Sequence, residues 1–135
     1  MSGIFGALRL PASVLFGSGQ RAAIGMMTAQ IGKRALVCTD ARMGQDVQFK
    51  AIVADIAANG VEVKVYDRTE ADLPMAGITA CVQEYANYKP DVLLGIGGGS
   101  CMDMPKCVAV LLQHGGSLRD YYGEHKIPGP VAPVI

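Results

Sequence analysis

The runs RALVCTD (Arg34 to Asp40) and DVLLGIG (Asp91 to Gly97) are apolar at almost every central position, with no alternation of polar and apolar residues. A strand of that composition is covered on both faces, and in parallel sheets the covers are helices. A third run of the same length, VEVKVYD (Val61 to Asp67), is rich in β-branched residues.

Helical patterns lie between these runs. Ile24, Met27, Thr28 and Ile31 follow the spacing i, i+3, i+4, i+7. So do Phe49, Ile52, Val53 and Ile56, and again Ile78, Cys81, Val82 and Tyr85. Asn59-Gly60 closes the second pattern and Pro74 opens the third. Ser100 to Leu112 predicts a fourth helix, apolar nearly all round and therefore central, ended by Gly115-Gly116. Strands alternating with such helices predict an α/β fold, a doubly wound, mostly parallel, Rossmann-like sheet with helices on both faces. The stretch LRLPASVLFGSG (Leu8 to Gly19) reads as a strand or hairpin ahead of this core.

A chain of 135 residues has the size of one domain, and no repeat, low-complexity tract or linker divides it. Its last residues, GPVAPVI, read as a strand just beginning, which predicts a piece of something longer. With half the residues hydrophobic, 18% charged and a net charge of zero, the composition argues against disorder and against a nucleic-acid surface. No apolar run reaches membrane-spanning length, so no membrane partner is expected. The N-terminus is a poor signal peptide. Cys38, Cys81, Cys101 and Cys107 form no CxxC pair and read as reduced, buried thiols of a cytoplasmic protein. His114 and His125 are too few and too far apart for a metal site and read as loop residues; RDYYG (Arg119 to Gly123) reads as an aromatic-anchored loop. No nucleophile–base constellation stands out, so no catalytic residue is assigned.

The chemistry concentrates at GIGGGS, Gly95 to Ser100. Ligands of an open parallel sheet bind beyond the carboxyl ends of its strands, where helix N-termini face them. Gly97, Gly98 and Gly99 fall at that edge, and Ser100 stands where the next helix is expected to start. Unpaired N–H groups and the helix dipole suit an anion there, most often phosphate. Asp103, three residues after Ser100, resembles the far end of a capping box. The bland alternative is a tight strand-to-helix turn with no ligand. Taken alone, G-x-G-x-x-S falls one residue short of the dinucleotide fingerprint and follows the third strand rather than the first. Asp40, at the end of its strand, lies at the same sheet edge. It suits a ribose acceptor that repels a 2′-phosphate, or equally a turn residue or helix N-cap. Lys106, three residues after Asp103, predicts a helical ion pair.

Together these segments resemble the iron-containing (group III) alcohol dehydrogenases. GIGGGSCMDMPK is similar to that family's GGGSxxDxAK motif. VLFGSGQ resembles its opening strand and Gly turn, ALVCTDARM its strand ending in the adenosine-site Asp, and LRDYYGEHKIPGPVAPVI the segment before its Thr-rich motif. The resemblance implies that residues 1–135 are a dinucleotide-binding domain, N-terminal to a helical metal domain. It implies NAD rather than NADP, with Gly97, Gly98, Gly99 and Ser100 on the pyrophosphate, Asp103 of the same motif supporting the loop or contacting the cofactor, and Asp40 on the adenosine ribose. It implies Fe2+ or Zn2+ only with the helical domain, whose Asp and three His lie past this chain. The whole enzyme would pass hydride between nicotinamide and a small alcohol or aldehyde as a homodimer or higher oligomer. Glycerol dehydrogenases, maleylacetate reductases, dehydroquinate synthases and a non-catalytic nucleotide-binding module are the alternatives. Two positions depart from the motif: Cys101 stands where proline is common, and Pro105 replaces the alanine.

Overall fold

The central strand β1 (Arg34–Cys38) lies between β2 (Glu62–Tyr66) and β3 (Val92–Gly95), and both pairings are parallel. This computed structural model describes residue 6 and residues 10–135. Register is fixed by Leu36 opposite Lys64 on one side and Leu93 on the other. Alternate β1 side chains enter different cores. Leu36 and Cys38 join Leu93, Met104 and Val108 on one face, whereas Ala35 and Val37 join Phe49, Ile56, Val92 and Leu94 on the other. All four β1 residues from Ala35 to Cys38 are fully buried, as the unbroken apolar run requires. Burying each such leucine or valine contributes roughly 1.5–3 kcal/mol. In β2, at the edge of the sheet, exposed Glu62 and Lys64 alternate with half-buried valines.

Helices cover both faces. α1 (Ile24–Ile31) and α3 (Val47–Ala58) lie on one, α4 (Met75–Tyr85) and α5 (Gly99–His114) on the other. A short α2 (Ala41–Gly44) follows β1 directly, capped by Asp40. The fold is thus the doubly wound α/β arrangement read from the sequence. The closing residues also pair: Val134 bridges Leu93 in parallel, and Leu93 N–H donates to the Pro133 carbonyl at 2.9 Å.

Four expectations need correction. Residues 10–16 form no strand; Leu10, Val14 and Phe16 are exposed, and among the described residues no strand lies alongside to complete a ladder. Leu8 and Arg9, the start of that expected strand, lie outside the described residues. The capping box does not form at α5, because Gly98 is the cap and Ser100 already sits within the first turn; Asp103 pairs instead with Lys106 at 2.7 Å. A capping box is made by Ser117 and Asp120, at a 3-10 turn (Leu118–Tyr121) where a loop was expected. His114 ends α5 rather than lying in a loop, its ring 3.3 Å from the Gly129 carbonyl.

Candidate functional site

β1 and β3 are neighbours, yet the chain leaves them toward opposite faces. From β1 it passes Asp40 to α2 and α3; from β3 it passes Gly97 to α5. Such a switch point is where an open parallel sheet forms a crevice beyond its strand ends. Three hydrogen bonds hold the rim. Thr39 Oγ1 donates to the Ile96 carbonyl at 2.7 Å. The Ile96 N–H donates to the Cys38 carbonyl, and the Thr69 N–H to the Thr39 carbonyl, each at 3.0 Å. A cleft of about 510 Å³ opens there, lined by Asp40, Arg42, Thr69, Glu70, Cys101 and the turn Gly98–Ser100.

The glycines of this turn serve different ends. A Cβ on Gly95 would stand 2.6 Å from the Cys101 carbonyl oxygen, so its absence lets α5 lie against the end of β3. Gly97 has φ +142°, and a Cβ there would meet Cys101 Sγ at 2.8 Å. Gly98 and Gly99 have neither reason. Neither has a positive φ, and an added Cβ on either would meet no protein atom within 4 Å. Their bare backbone faces open space at the start of a sixteen-residue helix that no side chain caps. Unsatisfied N–H groups, a positive dipole end and missing Cβ atoms make a cradle for an anionic group.

Asp40 faces that turn across the cleft. Its Oδ1 accepts the Met43 N–H at 2.7 Å and its Oδ2 lies 3.6 Å from Cys101 Sγ. The Met43 N–H, and then the Cys101 thiol and the Arg42 charge, hold its carboxyl below the usual range, against an opposing contribution from burial. Burial, with the Asp40 charge beside it, pushes the Cys101 thiol up. The pair is therefore a carboxylate accepting from a protonated thiol.

Asp40, Gly98, Gly99 and Ser100 thus meet in one cleft, with Gly97 as the bend beneath the turn. Asp103 stands one turn along α5, exposed and paired with Lys106, and does not line the cleft. Sequence reasoning passed over Thr69, whose buried Oγ1 has no hydrogen-bond partner. A buried hydroxyl left that way costs about 1–3 kcal/mol, and a polar ligand group in the cleft would offset it. Its position just past β2, at the same sheet edge as Asp40, was the available signal. Among the described residues, no three His, Cys, Asp or Glu side chains gather as a metal site. Nor is any helix among them long and apolar enough to cross a membrane.

Residues 11–135 match the profile of the family described as iron-containing alcohol dehydrogenase. The chain belongs to that family. It is 32% identical over 104 residues to the sulfoacetaldehyde reductase of Bilophila wadsworthia (strain 3_1_6), a match covering 77% of this chain and 27% of the relative. It is 31% identical over 126 residues to the NAD-dependent methanol dehydrogenase of Bacillus methanolicus, covering 93% of this chain and 33% of that protein. The fold is shared with the crystal structure of 1,3-propanediol oxidoreductase, with a TM-score of 0.86 at 24% identity over 92% of this chain and 33% of that one. The chain therefore spans roughly a quarter to a third of the length of these relatives.

Proposed function

We propose that residues 1–135 form the dinucleotide-binding domain of an NAD-dependent alcohol dehydrogenase that interconverts a small alcohol and its aldehyde. The observation that carries this reading is the pair Gly98 and Gly99, bare at a helix N-terminus with neither a positive φ nor a protein atom that a Cβ would meet. They lie in one cleft with an ionised carboxylate past the neighbouring strand. An elongated ligand with an anionic middle and a diol at one end matches that layout. When bound, the nicotinamide cofactor supplies a two-electron hydride donor or acceptor.

The residues of this chain bind and orient. Gly97 sets the bend, and Gly98, Gly99 and Ser100 would hold the pyrophosphate on the N–H groups that open α5. Asp40 would accept from both ribose hydroxyls through the lone pairs left free by Met43 and Cys101, and would repel a 2′-phosphate. Thr69 Oγ1 would gain a partner. Asp103 belongs to the same motif and would act by steadying the first turns of α5 through Lys106. Metal and substrate contacts would come from the helical part of a longer enzyme. Four free cysteines, three of them buried, accord with a reducing cytoplasm.

Titrating the chain with NADH and NADPH by calorimetry tests this. NADH is expected to bind more tightly than NADPH. Equal affinities for the two would remove Asp40 from the ribose. No binding of either at millimolar concentration would count against the whole assignment.

A further inference from the structure

We propose that Cys101 is a positioning residue, its thiol fixing the Asp40 carboxylate and thereby setting how strongly the cleft prefers an unphosphorylated ribose. The inference rests on the assignment of Asp40 to the ribose made above. Cys101 lies on α5, beyond the glycine turn, whereas Asp40 follows β1; the contact between them spans the switch point.

Three observations place the sulfur there for a purpose. Cys101 Sγ lies 3.6 Å from Asp40 Oδ2, within reach of a sulfur hydrogen bond, while Oδ1 is held by Met43. With both oxygens engaged, the carboxylate plane is fixed and each oxygen keeps a lone pair for a ligand hydroxyl. Cys101 is also almost wholly buried and lines the cleft together with Asp40 and the turn Gly98–Ser100. Finally, Gly97 gives it room, since a Cβ on that residue would come within 2.8 Å of Sγ and 2.9 Å of the Cys101 Cβ. The turn is thus shaped around the thiol. Arg42 and Glu70 are the other charged groups that line the cleft with Asp40, and Arg42 acts on the carboxylate through its charge and its backbone N–H.

Chemical-shift titration of the Asp40 carboxyl, paired with NADH and NADPH binding, tests the inference on the 135-residue chain carrying Cys101→Ala or Cys101→Ser. In Cys101→Ala the carboxyl is expected to titrate at higher pH, and the NADH-to-NADPH affinity ratio to fall about fivefold, the size expected for one lost hydrogen bond. Cys101→Ser keeps a donor and should restore both. An Asp40 titration and an affinity ratio unchanged in Cys101→Ala overturn the inference. Asp40→Gly separates it from the reading beneath it. If Asp40→Gly shifts the ratio and Cys101→Ala does not, Asp40 keeps its role and Cys101 loses its own. If Asp40→Gly leaves the ratio alone, the ribose assignment fails and takes the proposal with it.

Discussion

Thr39 Oγ1 donates to the Ile96 carbonyl at 2.7 Å, tying the end of β1 to the end of β3 where their chains part. Thr39 is fully buried, so water cannot replace the bond. Thr39→Val keeps the shape but leaves the carbonyl without its donor, and a loss of about 1–3 kcal/mol is expected. Urea unfolding measures it; a variant as stable as the parent would show that the bond does not hold the rim.

The glycines of the turn should divide into two classes. Gly95→Ala puts a methyl 2.6 Å from a backbone oxygen, and Gly97→Ala combines a clash with Cys101 Sγ with a left-handed backbone. Both should lower the thermal midpoint, Gly97→Ala through a strain of about 1–3 kcal/mol. Because its clash is with a side chain, adding Cys101→Ala should recover part of the loss at Gly97 and none at Gly95. Equal recovery at both positions would mean that the sulfur is not what Gly97 accommodates.

Removing the Asp40 carboxylate should change cofactor preference. Asp40→Gly deletes the ribose acceptor and the charge that repels a 2′-phosphate, and leaves Arg42 in the cleft beside it. NADH affinity should fall, NADPH affinity should rise, and their ratio should narrow or invert. Fluorescence titration with the two reduced cofactors reads this directly.

The same carboxylate gives a pH signature. Its folded pKa lies below the unfolded one, chiefly because of the Met43 N–H. It therefore stabilises the fold above the unfolded value, near ~3.9, and that contribution is lost as pH falls through the lower folded value. Asp40→Asn should make the stability curve shallower below about pH 4 and leave its slope at neutral pH unchanged. A parallel displacement at every pH would assign the effect to packing.

Much of this architecture was legible because its causes are local. Unbroken apolar runs at Ala35–Cys38 and Val92–Leu94 require cover on both faces, and the helix spacings supplied it. Residues 10–16 misled because β-rich composition does not guarantee a partner strand. The four-residue α2 is too short to show a period, and Asp40 announced it only as one of several possible caps. At the cleft, Gly98 and Asp40 could be placed from their positions after strands. Cys101 could not, since an apolar helix position reads as core until the end of another strand is seen beside it. Thr69 is similar: its missing partner is a three-dimensional fact.

The central claim is that Gly98 and Gly99 are bare for a ligand's sake, and alanine at each tests it most directly. Neither position has a positive φ or a protein atom for the new methyl to meet. Gly99→Ala should even favour α5, since glycine is the poorer helix former by roughly 0.5–1 kcal/mol. Thermal unfolding and NADH titration of the double variant Gly98→Ala/Gly99→Ala should therefore diverge. The expected result is a midpoint close to the parent's, the cost of losing glycine at the Gly98 cap offsetting the helix gain at Gly99, with NADH affinity lowered about tenfold or more, a loss of ~1.4 kcal/mol. Unchanged NADH affinity in a variant that folds as well as the parent would contradict the claim.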